Sequence, residues 1–109
     1  MHYIELIEGT RETAWSVSEW FLREYVPNHN ISLTIEERDL SEEGVEGWCI
    51  KESDTHFLIQ LHNNLQYDFI QVLLHELTHM KQWVEGRKQD EYEAYCQEME
   101  LLDKYMNKD

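Results

Sequence analysis

The sequence predicts an α+β fold in a single domain, and three observations carry that prediction. First, 109 residues with 41% hydrophobic content are enough for one core and too few for two lobes. Second, the middle of the chain holds segments whose apolar residues alternate, the period of half-buried strands. Third, the flanking segments lack internal Gly and Pro and repeat their apolar residues every three to four positions, the period of helices.

Residues 1–6 read as a short arm, with Ile4 and Leu6 alternating with Tyr3 and Glu5. A helix is expected from near Thr10 to just before Pro27, because a proline disfavours helical geometry in the residue preceding it. Its inward positions are Ala14, Val17, Phe21 and Tyr25, with Trp15, Leu22 and Val26 widening the apolar face. A strand follows over 30–36, where Ile31, Leu33 and Ile35 alternate with polar residues. The acidic stretch 39–44 is a loop. Residues 47–52 and 55–62 then form a hairpin around Ser53 and Asp54, with Phe57, Ile59 and Leu61 on one face. A helix is expected within 67–84, opened by Asn63 or Asn64 and closed by Gly86. A last helix starts at the acidic run near Asp90 and reaches about Met106; its stripes Tyr95, Met99, Leu102, Met106 and Ala94, Leu101, Tyr105 are read as core-facing. The sheet is therefore expected to be mostly antiparallel, with about three strands.

Charge and cysteine content remove several classes of function. Nine basic against 23 acidic residues give a net charge of −14, which repels nucleic acid and anionic membrane surfaces. Cys49 and Cys96 form neither a disulfide framework nor a CxxC pair, so a zinc ribbon or finger is not expected. No basic stretch precedes an apolar one at the N-terminus, and no apolar run reaches membrane-spanning length. The expected setting is cytoplasmic.

The chemistry lies in His75-Glu76-Leu77-Thr78-His79. On a helix, residues four apart lie one above the other, so both imidazoles can reach one ion at the Zn–N distance of about 2.0–2.1 Å. Glu76 is placed to accept a proton from water activated by that ion, the role of a general base. The helical wheel agrees: Phe69, Ile70, Leu73, Leu74, Leu77, Met80, Trp83 and Val84 make a broad apolar arc, leaving His75 and His79 in a polar sector with Asp68, Gln71 and Gln82.

A catalytic zinc ion takes three protein ligands and keeps a position for water. No His follows His79, and the HExxHxxGxxH pattern fails because Gln82 and Glu85 hold its Gly and third His positions. The third ligand must come from the acidic run of the next helix or from Cys96. Glu91 falls between the two apolar stripes and is the first choice, because coordination would offset the cost of an inward carboxylate. Glu93, which points away from the stripes, is the second. Cys96 is the third, and Glu98 is a candidate acceptor behind a ligand histidine.

HELTHMKQ followed by EYEAY resembles the gluzincin branch of zinc metallopeptidases, in which HExxH is followed by a Glu ligand on the next helix. The spacing of Glu91 and Ala94 is similar to small membrane and phage-type members, where the first Glu of an ExEA-like run is the ligand, and Gln82 matches an HExxHxxQ form of several small families. The resemblance covers residues from about 67 to 98. It implies a minimal zincin-like domain, His75, His79 and Glu91 as ligands of one Zn²⁺, and Glu76 as base. It also implies that the strand before the metal helix, residues 55–62, is a sheet edge on which an extended peptide pairs. The chain departs from the pattern after Ala94, where an Asp hydrogen-bonded to a ligand His is common and Tyr95 stands instead.

The expected activity is hydrolysis of a peptide bond, with a peptide or protein as partner. Tyr67, Tyr92, Tyr95 and His62 are all able to donate to the oxyanion that forms, and the sequence does not choose among them. Two other readings stand beside it. One is a zinc-binding regulatory or interaction module with little or no protease activity; the other is a domain whose HExxH is incidental.

Overall fold

Four strands and three helices make up the protein, of which the computed structural model describes residues 1–108. They follow the order β1 (His2–Leu6), α1 (Thr13–Tyr25), β2 (Ile31–Arg38), β3 (Gly47–Lys51), β4 (His56–His62), α2 (Phe69–Val84) and α3 (Glu91–Met106). The class is α+β, as the sequence indicates, but the sheet has one more strand than expected and a different sense. Its order is β1-β2-β4-β3, with β1–β2 and β2–β4 parallel and only β3–β4 antiparallel. The N-terminal arm is a strand because α1 returns the chain alongside it: Ile4 pairs with Leu33 and Leu6 with Ile35. Its alternation was legible. Its partner was not, because parallel pairing is set by a helix crossover that leaves no local signature.

One face of the sheet is apolar. Ile31, Leu33 and Ile35 of β2, Phe57, Ile59 and Leu61 of β4 and Cys49 of β3 are buried there with Val17, Phe21 and Leu22 of α1 and Leu73, Leu74 and Leu77 of α2. The other face carries polar residues, including a chain in which Trp48 Nε1 donates to Gln60 and Gln60 Nε2 donates to Glu36 at 2.9 Å. The α1 assignments hold for Ala14, Val17, Phe21, Leu22 and Val26, but Trp15 is 45% exposed and Trp20 takes its place inside, edge-on to Tyr25 and Tyr105. Arg11 ties the helix entrance to β2 through a two-pronged pair with Glu37, donates to Leu65 O at 2.7 Å, and lies over the Phe69 ring.

Helix α2 begins later than Asn63 or Asn64 would place it. Asp68 is its N-cap residue and makes no side-chain cap bond. The other end is as expected: Gly86 adopts a φ of +78°, its N–H donates to Trp83 O, and Arg87 N–H donates to Gln82 O. Asp90 caps α3 by accepting from Glu93 N–H at 3.2 Å.

Of the two stripes of α3 expected to face the core, Ala94, Leu101 and Tyr105 do so, whereas in the other only Leu102 packs against the core. Tyr95, Met99 and Met106 are exposed, whereas Ala94, Glu98 and Leu101 are buried and Tyr105 packs at the core edge. The seam toward α2 therefore runs 91, 94, 98, 101, 105, a spacing of three and four that mixes carboxylates with apolar residues. Two glutamates in that seam depress its apparent hydrophobicity, so the neighbouring Tyr95, Met99 and Met106 read as core-facing as well.

Candidate metal centre

The polar seam between α2 and α3 holds the site. Glu91 Oε1 lies 2.8 Å from His75 Nε2 and 3.1 Å from His79 Nε2, and the two imidazoles meet edge to face with centroids 4.8 Å apart. One ligand atom from each of these three residues falls within 4.8 Å of the others. For comparison, a tetrahedral centre with bonds of about 2.0–2.1 Å separates its ligand atoms by roughly 3.3 Å.

Each imidazole is held from behind. His75 Nδ1 is 3.0 Å from Glu98 Oε1, and the other Glu98 oxygen accepts from Gln71 Nε2. His79 Nδ1 is 3.0 Å from Gln82 Oε1. The orientation of the Gln82 amide is fixed by its other bonds: Nε2 donates to Asp90 O at 3.0 Å and Glu93 Oε1 at 2.7 Å, and Oε1 accepts from Asp90 N–H at 2.9 Å. An amide oxygen only accepts, so His79 Nδ1 must carry the proton. At His75 the carboxylate behind Nδ1 favours the same tautomer, although Glu91 places a second carboxylate at Nε2.

That tautomer tests whether the residues fit a cation. With Nδ1 engaged from behind in both rings, each Nε2 is turned toward the same carboxylate oxygen of Glu91, where it either shares a proton with that oxygen or offers a lone pair to a cation. The three atoms lie within 4.8 Å of one another, and a positive charge among them, whether protons shared with Glu91 or a metal ion, compensates all three. The two nitrogens and one oxygen form a donor set suited to a divalent metal. His79 is 1% exposed, so water cannot solvate these lone pairs from its side. The Glu91 side chain is 64% exposed, so the fourth side of the cluster opens to solvent.

A cavity of about 300 Å³ adjoins the cluster. Helix α2 gives it Val72, His75 and Glu76, α3 gives Glu91, Tyr95 and Glu98, and the segment entering β3 closes the opposite wall with Gly44, Val45, Glu46 and Gly47. Gly47 leaves room there, since a Cβ at that position would lie 3.1 Å from both the Leu61 and the Val72 side chains, which would have to shift by a few tenths of an ångström. Tyr95 stacks at a tilt on His75 with centroids 4.7 Å apart.

Glu76 is buried against this cavity and takes no part in the hydrogen-bond network among the described residues. Burial raises its carboxyl from the ordinary range to about 7, with His75 opposing and the charges of Glu91 and Glu98 adding to the rise. At Glu91 partial burial pushes upward, but the bonds to His75 and His79 outweigh it and hold the carboxyl below its ordinary value. One carboxylate is thus tuned toward proton transfer and the other toward staying charged.

The structure brings His75, His79, Glu91 and Glu76 together. It does not bring Glu93, which accepts from Gln82 and from Arg87 at 2.9 Å; the Arg87 guanidinium, then Gln82, hold its carboxyl low. Cys96 is exposed and outside the cluster. Among the expected oxyanion donors only Tyr95 lines the cavity. His62 Nδ1 instead accepts from Leu40 N–H, and Tyr67 borders a separate hollow. The expectation that residues 55–62 form a sheet edge fails: β4 lies between β2 and β3, and β3 is the edge beside the site. Sequence reasoning also missed the wall at 44–47. Its signal was a pair of glycines three apart before a strand.

Among the described residues no helix is long and apolar enough to cross a membrane. Comparisons with protein-family models, with curated proteins and with solved structures give no match.

Proposed function

We propose that this chain is a zinc-dependent metallopeptidase of gluzincin type that hydrolyses peptide bonds in the cytoplasm, with His75, His79 and Glu91 as ligands of one Zn²⁺. The observation that carries the reading is the convergence of three acceptor atoms beside a cavity that also holds a buried, unpartnered glutamate. A bound zinc ion supplies a Lewis acid that activates water and polarises the scissile carbonyl.

The chain's own residues do the rest. Glu76 takes a proton from the attacking water as its oxygen bonds to the carbonyl carbon and the carbonyl electron pair moves onto oxygen. The same carboxyl then delivers that proton to the amide nitrogen as the C–N bond breaks. A pKa near 7 suits a group that must both accept and give a proton. Tyr95, on the cavity wall, is the residue assigned to donate to the oxyanion. Glu98 and Gln82 hold the imidazoles with Nε2 forward. An extended substrate adds along the free edge of β3, where backbone groups give affinity with little side-chain preference.

A second reading is favoured by the exposed row Tyr92, Tyr95, Met99 and Met106 on α3, which suits a zinc-binding regulatory or interaction module with little proteolysis. The test is metal analysis of the purified chain followed by incubation of wild type and Glu76→Gln with unfolded proteins. One zinc per chain in both, with cleavage falling about 10²–10⁴-fold in the variant, is the expected result. Equal cleavage by both would remove Glu76 from the reaction; bound zinc without cleavage by either would favour the module; no bound metal would sink both readings.

A further inference from the structure

The cavity beside the metal cluster is walled by four carboxylates and by no Lys or Arg. Glu91 faces the imidazoles, Glu98 supports His75, and Glu76 is the buried base. Glu46 has no such task. Its side chain is exposed and joins no hydrogen bond or ion pair among the described residues, yet its backbone is held: His62 N–H donates to Glu46 O at 2.8 Å.

Glu46 also borders a second hollow, of about 370 Å³, whose other walls include Leu65, Tyr67 and Asp68. The one carboxylate therefore stands where the two spaces meet, at the start of the edge strand. Past it lie the exposed Tyr67 ring, the amide side chains of Asn64 and Gln66 and a second carboxylate, Asp68, with the buried Leu65 among the walls. These are the groups that accommodate a long side chain with a cationic end. The excess of acidic residues in the chain adds a field that draws cations toward such a concavity.

We propose that this hollow is a subsite for a lysine or arginine side chain of the bound peptide, with Glu46 as the residue that selects it. The inference rests on the cleft being a peptide-binding one, as in the preceding reading, and it adds a class of substrate. Backbone pairing along β3 sets where the peptide lies. The charge at Glu46 sets which residue it must present at one position.

The test uses the full zinc-loaded chain carrying Glu76→Gln, so that nothing is cut, titrated with fluorescent Gly/Ser peptides in which a single Lys is moved along the sequence. Each peptide is paired with its norleucine and Glu counterparts. One register of Lys is expected to bind about fivefold more tightly than norleucine at low salt. Adding Glu46→Gln should remove that preference, and adding Glu46→Lys should turn it toward the Glu peptide. Glu42→Gln, the same charge change outside both hollows, should leave it in place. No preferred register, or equal losses from Glu46→Gln and Glu42→Gln, would overturn the proposal. A Lys preference that depends on Glu46 in a chain whose wild type cuts nothing would defeat the peptidase reading alone. Cleavage without such a preference would defeat only the subsite.

Discussion

Helix α2 is buried on two sides that obey different rules. Toward the sheet it packs Leu73, Leu74, Leu77 and Met80, which ask of their neighbours only shape and apolarity. Toward α3 it buries His75, Glu76, His79 and Gln82, each of which loses water and must be compensated. The first side stabilises the fold. The second forms a polar cluster, with Glu91, whose three ligand atoms could hold a metal ion. One helix thus separates what keeps the chain folded from what equips it to act.

The sharpest way to break this comparison is to make an equivalent truncation on each side. Leu77→Ala should cost about 2–5 kcal/mol in urea unfolding of metal-free protein, through lost burial and an unfilled cavity. His79→Leu should leave metal-free stability unchanged or higher, because it replaces a buried polar group that faces a carboxylate with an apolar one. The same change should abolish stoichiometric zinc binding. If His79→Leu instead destabilised the metal-free chain as much as Leu77→Ala, the polar seam would be structural and the division false.

A pH dependence follows from Glu76. Its folded pKa lies above that of an unfolded glutamate, so the folded state binds the proton more tightly. The resulting stabilisation is fully present below the unfolded pKa of about 4.5 and is lost as pH rises to about 7. Metal-free wild type should therefore lose about 3 kcal/mol, relative to Glu76→Gln, across that window. Chemical denaturation of both proteins at intervals of pH measures it. A constant difference between them would mean that Glu76 is better solvated than its burial implies.

How much of this was legible depended on where the signal was stored. The HExxH pair, the hairpin and the alternation of β2 are local patterns, and the structure keeps them. Glu91 was separable from Glu93 because a two-residue step on a helix rotates a side chain by about 200°. The wheel of α3 failed for Tyr95, Met99 and Met106 because apolarity was taken as the mark of burial. In this seam Glu98 is buried, while Glu91 reaches the imidazoles and stays largely exposed, contrary to the inward carboxylate expected there, and the partners of both come from another helix. Strand order was illegible for a different reason. The parallel β2–β4 pairing, with β3 outside it, depends on contacts distant in sequence.

The supporting bonds behind the histidines give the next smaller effect. Glu98→Gln keeps the size and an acceptor oxygen but removes the negative charge behind His75, which lowers that imidazole's basicity as a ligand. Zinc affinity, measured by competition with a chromophoric chelator, should fall about 10–100-fold, with the one-to-one stoichiometry retained. Unchanged affinity would reduce Glu98 to a packing partner of Gln71.

The smallest effect distinguishes two glutamates in the first turn of one helix. Glu93 accepts from Gln82 and Arg87 at the edge of the seam, where solvent screens the ion pair. Glu93→Ala should cost at most about 1 kcal/mol of stability and leave zinc bound, since Gln82 keeps its bonds to Asp90 and His79. Glu91→Ala should do the reverse, sparing the fold, because that side chain is largely exposed, while removing one of the three ligands and with it tight binding. Zinc loss from the Glu93 variant with retention in the Glu91 variant would reverse the ligand assignment. Loss from both would indicate that Glu93 acts through Gln82 to set where α3 begins, which would make the loop after α2, and not only the seam, part of the metal site.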